Sequence, residues 1–465
     1  MENPFRNLPS VNDLLETPAL KKIVDKVSHN VVANNVRSFL DDARERLKDK
    51  TTDFNIPSPS EMADSIAEWI STEDQPSLQP VINGTGVILH TGLGRAPLAD
   101  QAIEAISEVS RGYASVEVSL QTGKRSHRVE AVEKLLKELT GAEAAAVVNN
   151  NAAATLLTLS AMADGKEVIV SRGELIEIGG SYRLPDVMTA SGSRLKEVGT
   201  TNKTRISDYE QAIGDETAAL MKVHTSNYLV CGFTESTGIQ ELVALGKKRN
   251  LPVIDDVGSG ALVDFSKYGL PNEPTVCDSL AAGADVVLFS GDKLIGGPQC
   301  GIVVGKLKQI QKITKHPMMR AMRVDKMTLA GLAETLRLYR DLEQAETKIP
   351  LLSMLSSSLD NLRNRANRLI PRLEGLSHLD SVKIIEEKSM MGGGTIPTQT
   401  VPTICLQIKP NKLSVQQFSD RLRCTKNPVF GRIQNDFFLL DLRTIQPRQD
   451  RLLIDSLGLK NSQQE

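Results

Sequence analysis

Apolar positions in the first 75 residues recur at helical spacing. Leu14, Leu15, Leu20, Ile23 and Val27 form an irregular stripe, and 34–48 is amphipathic and charged. A third helix has a marked start: Ser58 offers an N-cap, Pro59 takes the first helical position, and Glu61 stands three residues after the cap. Met62, Ile66, Trp69 and Ile70 are then expected on one face. The stretch 71–80, STEDQPSLQP, is polar and proline-containing and reads as a linker.

From Val81 the pattern changes. Val129, Val132, Leu135, Leu136 and Leu139 mark a helix over 128–140. Short continuous apolar runs follow at 144–148, 167–171, 220–224, 252–256 and 286–289, separated by polar or helical stretches. Such runs predict a buried, mainly parallel sheet in a large α/β domain, with the ligand site at the strand C-termini. After about Leu336 the chain returns to helix, and 397–409 and 428–444 read as strands of a smaller α+β unit. The expected division is therefore a helical domain at 1–75, an α/β domain at 76–335 and a small α+β domain at 336–465.

Length agrees: 465 residues allow roughly three domains of about 150 residues. With 40% hydrophobic and 24% charged residues, wholesale disorder is excluded. A net charge of −2 excludes a chain coated with nucleic-acid-binding charge, but not a local basic patch. There is no run of 18 apolar residues to cross a membrane and no N-terminal pattern of a secretory signal. The five cysteines, none in C-x-x-C, give little support to disulfides or a cysteine–zinc site, and the six histidines lack metal-ligand spacing. A cytosolic protein without a metal is expected.

The strand ends carry the chemistry. One run closes on Asp255-Asp256, and Ser290-Gly291-Asp292-Lys293 ends a later one. A strand-end carboxylate followed 37 residues later by a lysine suits pyridoxal phosphate. The lysine condenses with the cofactor aldehyde, and the carboxylate keeps the pyridine nitrogen protonated. Side chains alternate along a strand, so only one aspartate of the pair should face the cofactor. For these two residues alone, a turn-capping Asp256 and a solvated Lys293 are equally credible. The run Asn149-Asn150-Asn151-Ala152-Ala153-Ala154 favours the cofactor, because Asn150, Asn151 and the N–H of Ala152 open a helix where a phosphate can sit. A plain Asn N-cap is the alternative. Ser290 can contribute from beside the lysine, and Asn227, in His224-Thr225-Ser226-Asn227, can meet the cofactor's phenolic oxygen. Neither a G-x-G-x-x-G after the first strand nor a G-x-x-x-x-G-K-[ST] occurs, so nucleotide folds lose support.

Longer blocks occur in one order: Asn83-Gly84-Thr85-Gly86-Val87-Ile88-Leu89-His90-Thr91, Gly94-Arg95-Ala96-Pro97, the 149–154 run, 171–180, Val198-Gly199-Thr200-Thr201-Asn202, 290–298 and Arg320-Ala321-Met322-Arg323-Val324-Asp325-Lys326-Met327-Thr328. Together, from about Val81 to Leu442, they resemble the bacterial selenocysteine synthases, the L-seryl-tRNA(Sec) selenium transferases. The resemblance implies a fold-type I pyridoxal phosphate enzyme. It implies conversion of L-seryl-tRNA(Sec) to L-selenocysteinyl-tRNA(Sec) with selenophosphate, through an aminoacrylyl intermediate. By the same match Lys293 is the Schiff-base lysine. The family's Asp-Leu-Gly-Ser-Gly pattern falls on Asp256-Val257-Gly258-Ser259-Gly260. Homo-oligomers, decamers built from dimers, are implied as well.

Arg95, Arg320 and Arg323 are then expected to form the selenophosphate site. Arginine suits phosphate because its planar fork binds two oxygens, and a spacing of three places Arg320 and Arg323 on one helix face. Without the resemblance these two read as surface charges. Residues 1–75 are implied to bind tRNA, with Arg44, Arg46, Lys48 and Lys50 interleaved among Asp41, Asp42, Glu45 and Asp49. Two departures stand out. Val118-Ser119 replaces a more usual Tyr-Asp pair, and Ser126 occupies a position usually held by Gly, which would strain the loop if that Gly served a positive φ. A related lyase or aminotransferase would have no obvious use for residues 1–75, and a silent tRNA-binding scaffold would not need Lys293 and Asp256.

Overall fold

The computed structural model describes residues 8–48, 57–73, 78–271, 273–392 and 399–458. The chain forms two compact units, 1–80 and 81–465.

The first unit holds four described helices, Val11–Leu15, Pro18–Val24, His29–Lys48 and Pro59–Glu73. The Ser58 cap forms as expected, with the Ser58 N–H donating to Glu61 Oε2 at 2.7 Å and the Glu61 N–H to Ser58 Oγ at 3.3 Å. Leu14, Leu20, Val36, Leu40, Met62, Ile66 and Ile70 make the core. Trp69 does not join them and remains 40% exposed, because 62, 63, 66 and 70 complete the buried stripe. Ser71, Thr72 and Glu73, expected in the linker, continue the last helix, and 74–77 lie outside the described residues. Of the basic cluster, Arg44 pairs with Asp41 at 2.6 Å. Asp49, Lys50 and the side chains of Arg46 and Lys48 lie outside the described residues.

The second unit is built on a seven-stranded sheet in the order 144–148, 301–305, 286–290, 253–258, 217–223, 167–171, 194–198. Six strands share one direction, and Gly301–Gly305 is antiparallel to both neighbours. The central strands are buried on both faces. The edge strand 144–148 is buried likewise: Ala145 and Val147 feed one core, while Ala144, Ala146 and Val148 feed the other.

A five-stranded sheet lies in the C-terminal part, in the order 432–434, 437–441, 400–410, 379–392, 87–89. The expected boundary at 335/336 falls inside the helix Lys326–Leu338, whose Leu329, Leu332 and Leu336 belong to the core of the large sheet. The smaller core instead gathers Leu362 onward, together with Ile82. Two early strands also join this layer: Ile82–Asn83 pairs with Val429–Phe430, and Val87–Leu89 with Leu379–Gly392. The expected strand start at 397–398 lies outside the described residues.

The altered loop carries no strain at Ser126. Val118 bridges Arg125, the Ser126 N–H donates to the Glu117 carbonyl at 2.9 Å, and the positive φ falls on Gly123 (66°) rather than on Ser126.

Candidate active site

The helix Asn151–Ala163 begins at the C-terminal edge of the parallel strands. Its N-cap is Asn150, whose side-chain oxygen accepts the Ala153 N–H at 2.9 Å. Asn151 Nδ2 donates to Asp256 Oδ1 at 2.9 Å, and Thr155 Oγ1 donates to Asp256 Oδ2 at 2.9 Å. Thr155 lies four residues after Asn151, so both donors leave the same helix face. These contacts occupy side chains that the sequence offered to a phosphate: the Asn150 oxygen caps its own helix, and Asn151 orients Asp256. The N–H of Ala152, in the first turn, has no intrahelical acceptor.

Asp256 is buried. Loss of water raises its carboxyl pKa, opposed by Asn151, Thr155, Lys293 and the Gly258 N–H. Asp255 faces away, towards Ser279 and Lys222, and burial pushes its carboxyl up to about 6. Lys293 is 7% exposed in the turn after Val286–Ser290. Burial, then Arg95, holds its amine below the usual lysine range, while Asp256, Asp292 and Glu273 oppose. Ser290 is buried at the same strand end.

Arg95 Nη1 pairs with Asp292 Oδ2 at 2.7 Å, beside Lys293. Its backbone is left-handed (φ 62°), following Gly94 (φ 91°). A non-glycine residue in that region costs about 1–3 kcal/mol, and such strain gathers at functional sites. Arg320 and Arg323 lie elsewhere, in a cavity of about 820 Å³ lined also by Glu117, Arg125, Arg128 and Lys315. Within one chain the structure does not bring Arg95 to them. The shared helix face is also not formed: the helix Met318–Ala321 ends first, and Arg323 bridges Val148. Arg323 reaches to 3.9 Å of Glu117, which also pairs with Arg125 and Arg128. Asn227 Nδ2 donates to the Glu177 carbonyl at 2.6 Å, and its Oδ1 is buried without a partner among the described residues.

Sequence reasoning missed several neighbours. Thr155 was legible from its spacing to Asn151. Tyr182, whose hydroxyl pKa is driven up by burial and by Asp256, and Glu273, in an irregular loop, carried no such signal.

A family model described as L-seryl-tRNA selenium transferase matches residues 81–446, and one described as selenocysteine synthase N terminal matches residues 5–44. The chain belongs to the L-seryl-tRNA selenium transferase family. Relatives named L-seryl-tRNA(Sec) selenium transferase include one from Alkaliphilus metalliredigens, 48% identical over 454 residues and covering 97% of each chain. Another, from Carboxydothermus hydrogenoformans, is 46% identical over 449 residues, covering 96% of this chain and 95% of its own. The solved structure of D-glucosaminate-6-phosphate ammonia-lyase shares the fold, with a TM-score of 0.58 at 21% identity, covering 84% of this chain and 97% of that chain. The large sheet and its helices are the fold-type I arrangement.

In this selenium transferase family member the residues fit pyridoxal phosphate. A buried amine stands ready for an aldehyde, a buried carboxylate for a pyridine nitrogen. Among the described residues Asn151 Oδ1, beside Asp256, and the Oγ of Ser259, whose carbonyl accepts the Leu294 N–H, are buried without partners. No described helix is long and apolar enough to cross a membrane.

Proposed function

We propose that this chain converts L-seryl-tRNA(Sec) to L-selenocysteinyl-tRNA(Sec) in the cytoplasm, with pyridoxal phosphate as cofactor and selenophosphate as selenium donor. The observation that carries the reading is a buried Lys293 next to an Asp256 whose two oxygens are both held by donors, in a chain of this family. When bound, pyridoxal phosphate supplies an electron sink for charge developing at Cα.

The chain's own groups do the rest. Burial and Arg95 favour the neutral, nucleophilic amine of Lys293. Asn151 and Thr155 hold Asp256 where a charged carboxylate keeps the pyridine nitrogen protonated. As a free amine beside the substrate, Lys293 would take the Cα proton at Nζ. The Ala152 N–H, the Asn150–Asn151 turn and Ser290 hold the phosphate at a helix N-terminus, where dipole and unpaired N–H groups favour an anion. Asn227 has a second amide proton for the phenolic oxygen. Incubating the loaded protein with seryl-tRNA(Sec) and selenophosphate should yield selenocysteinyl-tRNA(Sec), and no product would sink the reading.

Arg320 and Arg323 receive the selenium donor. Replacing either with Ala removes one charged hydrogen-bonding partner, about 1.5–3 kcal/mol, and should weaken use of selenophosphate roughly tenfold to a hundredfold. Elimination from seryl-tRNA measured without donor should change much less. Equal loss in both half-reactions would assign these arginines to the fold or the tRNA. Arg95 joins them only from a second copy of the chain, in keeping with a homo-oligomer, a decamer built from dimers.

Residues 1–75 bind the tRNA. They belong to a unit with its own core, so their deletion should abolish seryl-tRNA(Sec) retention in a filter or gel assay while the visible absorbance of the loaded protein remains. Unchanged tRNA affinity would refute this role.

A further inference from the structure

Three carboxyl groups act on Lys293: Asp256, Asp292 and Glu273. Two are committed. Both oxygens of Asp256 accept hydrogen bonds, from Asn151 and Thr155, and Asp292 is paired with Arg95. Glu273 differs. Its side chain is 2% exposed, and among the described residues its Oε1 has no hydrogen-bond partner. Facing it at 3.7 Å is His224 Nε2, also buried and also without a partner. Ser259 Oγ lies near the same carboxyl without completing a hydrogen bond. His224 directly follows the strand Thr217–Val223, and its N–H donates to the Asp256 carbonyl at 2.9 Å. The pair therefore stands one strand away from Asp256, at the same sheet edge as Lys293.

Buried polar atoms are nearly always partnered, and a catalytic role is one reason for leaving one unpartnered. The protonation of this pair suits a donor. Burial, then Lys222 and Lys293, pushes the His224 imidazole down to about 4, so the ring is neutral. Burial raises the Glu273 carboxyl pKa, opposed by Ser259 and Lys293, which favours the protonated acid.

The reaction requires such a proton. Serine's β-hydroxyl is a poor leaving group unless it departs as water. We propose that Glu273, oriented by His224, is the acid that protonates this departing oxygen, an inference that rests on the functional reading above. The Cα proton goes to Lys293 Nζ. The Cβ–O bond breaks with its electron pair on oxygen, and the Glu273 proton completes water. The carboxylate regains a proton when hydrogen selenophosphate arrives: the selenium loses its hydrogen and bonds to Cβ, Cα takes its proton back from Lys293 Nζ, and water cleaves the Se–P bond, which releases inorganic phosphate and leaves the selenol. His224 is a positioning residue that receives the carboxyl's hydrogen bond between these events.

The test uses the loaded enzyme with tRNA(Sec) carrying either serine or β-chloroalanine, whose chloride leaves without a proton. Glu273→Gln should slow elimination from the seryl ester about 100-fold and from the chloroalanyl ester only a fewfold. Exchange of the seryl Cα hydrogen in D2O, read by mass spectrometry, should persist, because Lys293 performs it. His224→Gln should show a smaller loss confined to serine. If Glu273→Gln does not take up cofactor, Glu273→Asp, which keeps the proton, should still be impaired on serine alone. Equal losses on both esters, loss of Cα exchange, or unchanged elimination from serine would overturn the proposal and leave Lys293 serving both proton transfers. Failure of the unmodified enzyme to form selenocysteinyl-tRNA(Sec) would instead overturn the functional reading.

Discussion

Lys293→Ala is expected to lose turnover about 10⁴-fold and to lose the visible absorbance of the loaded protein with it. The amine is buried in the turn after a central strand, and burial with Arg95 disfavours its charged form. No solvated lysine shares that setting, so no neighbour can take its place. The fold should survive, because two of the three carboxyl groups around the lost amine keep partners, Asp256 with Asn151 and Thr155 and Asp292 with Arg95, and the third, Glu273, can take up a proton. Lys293→Arg separates charge from chemistry. It supplies a permanent cation, but a guanidinium stays protonated and cannot act as the amine, so it should be as inactive as Ala. Absorbance spectra after incubation with pyridoxal phosphate, together with single-turnover assays, read both effects. An Ala variant that retains the spectrum, or an Arg variant that retains turnover, would remove Lys293 from its role.

The parts of this structure legible in the sequence are those with local causes. Continuous apolar runs announced the buried strands at 144–148, 167–171 and 286–290, and Ser58-Pro59-Ser60-Glu61 announced a capped helix. The Asp256 and Lys293 positions were legible because strand ends are fixed by the same runs. What was not legible depends on distant partners. Ile82–Asn83 and Val87–Leu89 are too short to show a period, and their partner strands lie more than 290 residues away. Leu379–Gly392 mixes charged and apolar residues and becomes a strand through pairing with Thr400–Pro410. Arg320 and Arg323 shared a helix face only if the helix continued. It stops at Ala321 because Val148 claims the Arg323 backbone. Glu273 sits in a loop, where neither period nor motif marks a buried acid.

Asp256→Asn is expected to lower turnover about 10²–10³-fold while Asp255→Asn retains most of it. The two aspartates are adjacent and both buried, so burial does not distinguish them. Their surroundings do. Asp256 holds two donors from one helix, an arrangement that an amide cannot reproduce. The amide introduced by Asp256→Asn can accept from only one of them and presents its own N–H₂ to the other. The charge proposed to keep the pyridine nitrogen protonated is also lost. Asp255 lies on the opposite face, and its carboxyl is displaced from an ordinary value near 4 up to about 6. For an acid with a raised folded pKa, the native state binds the extra proton. Stability from this group is therefore full below about pH 4 and lost as pH rises through about 6, a cost of about 3 kcal/mol at pH 7. The Asp255→Asn side chain carries no charge to bury, so the melting temperature of that variant relative to the parent should rise between pH 4 and 6 and level off above. Differential scanning calorimetry at pH 5 and 8 reads this, and turnover assays rank the two variants. A more damaging Asp255→Asn would place the catalytic carboxylate on the wrong face of the sheet.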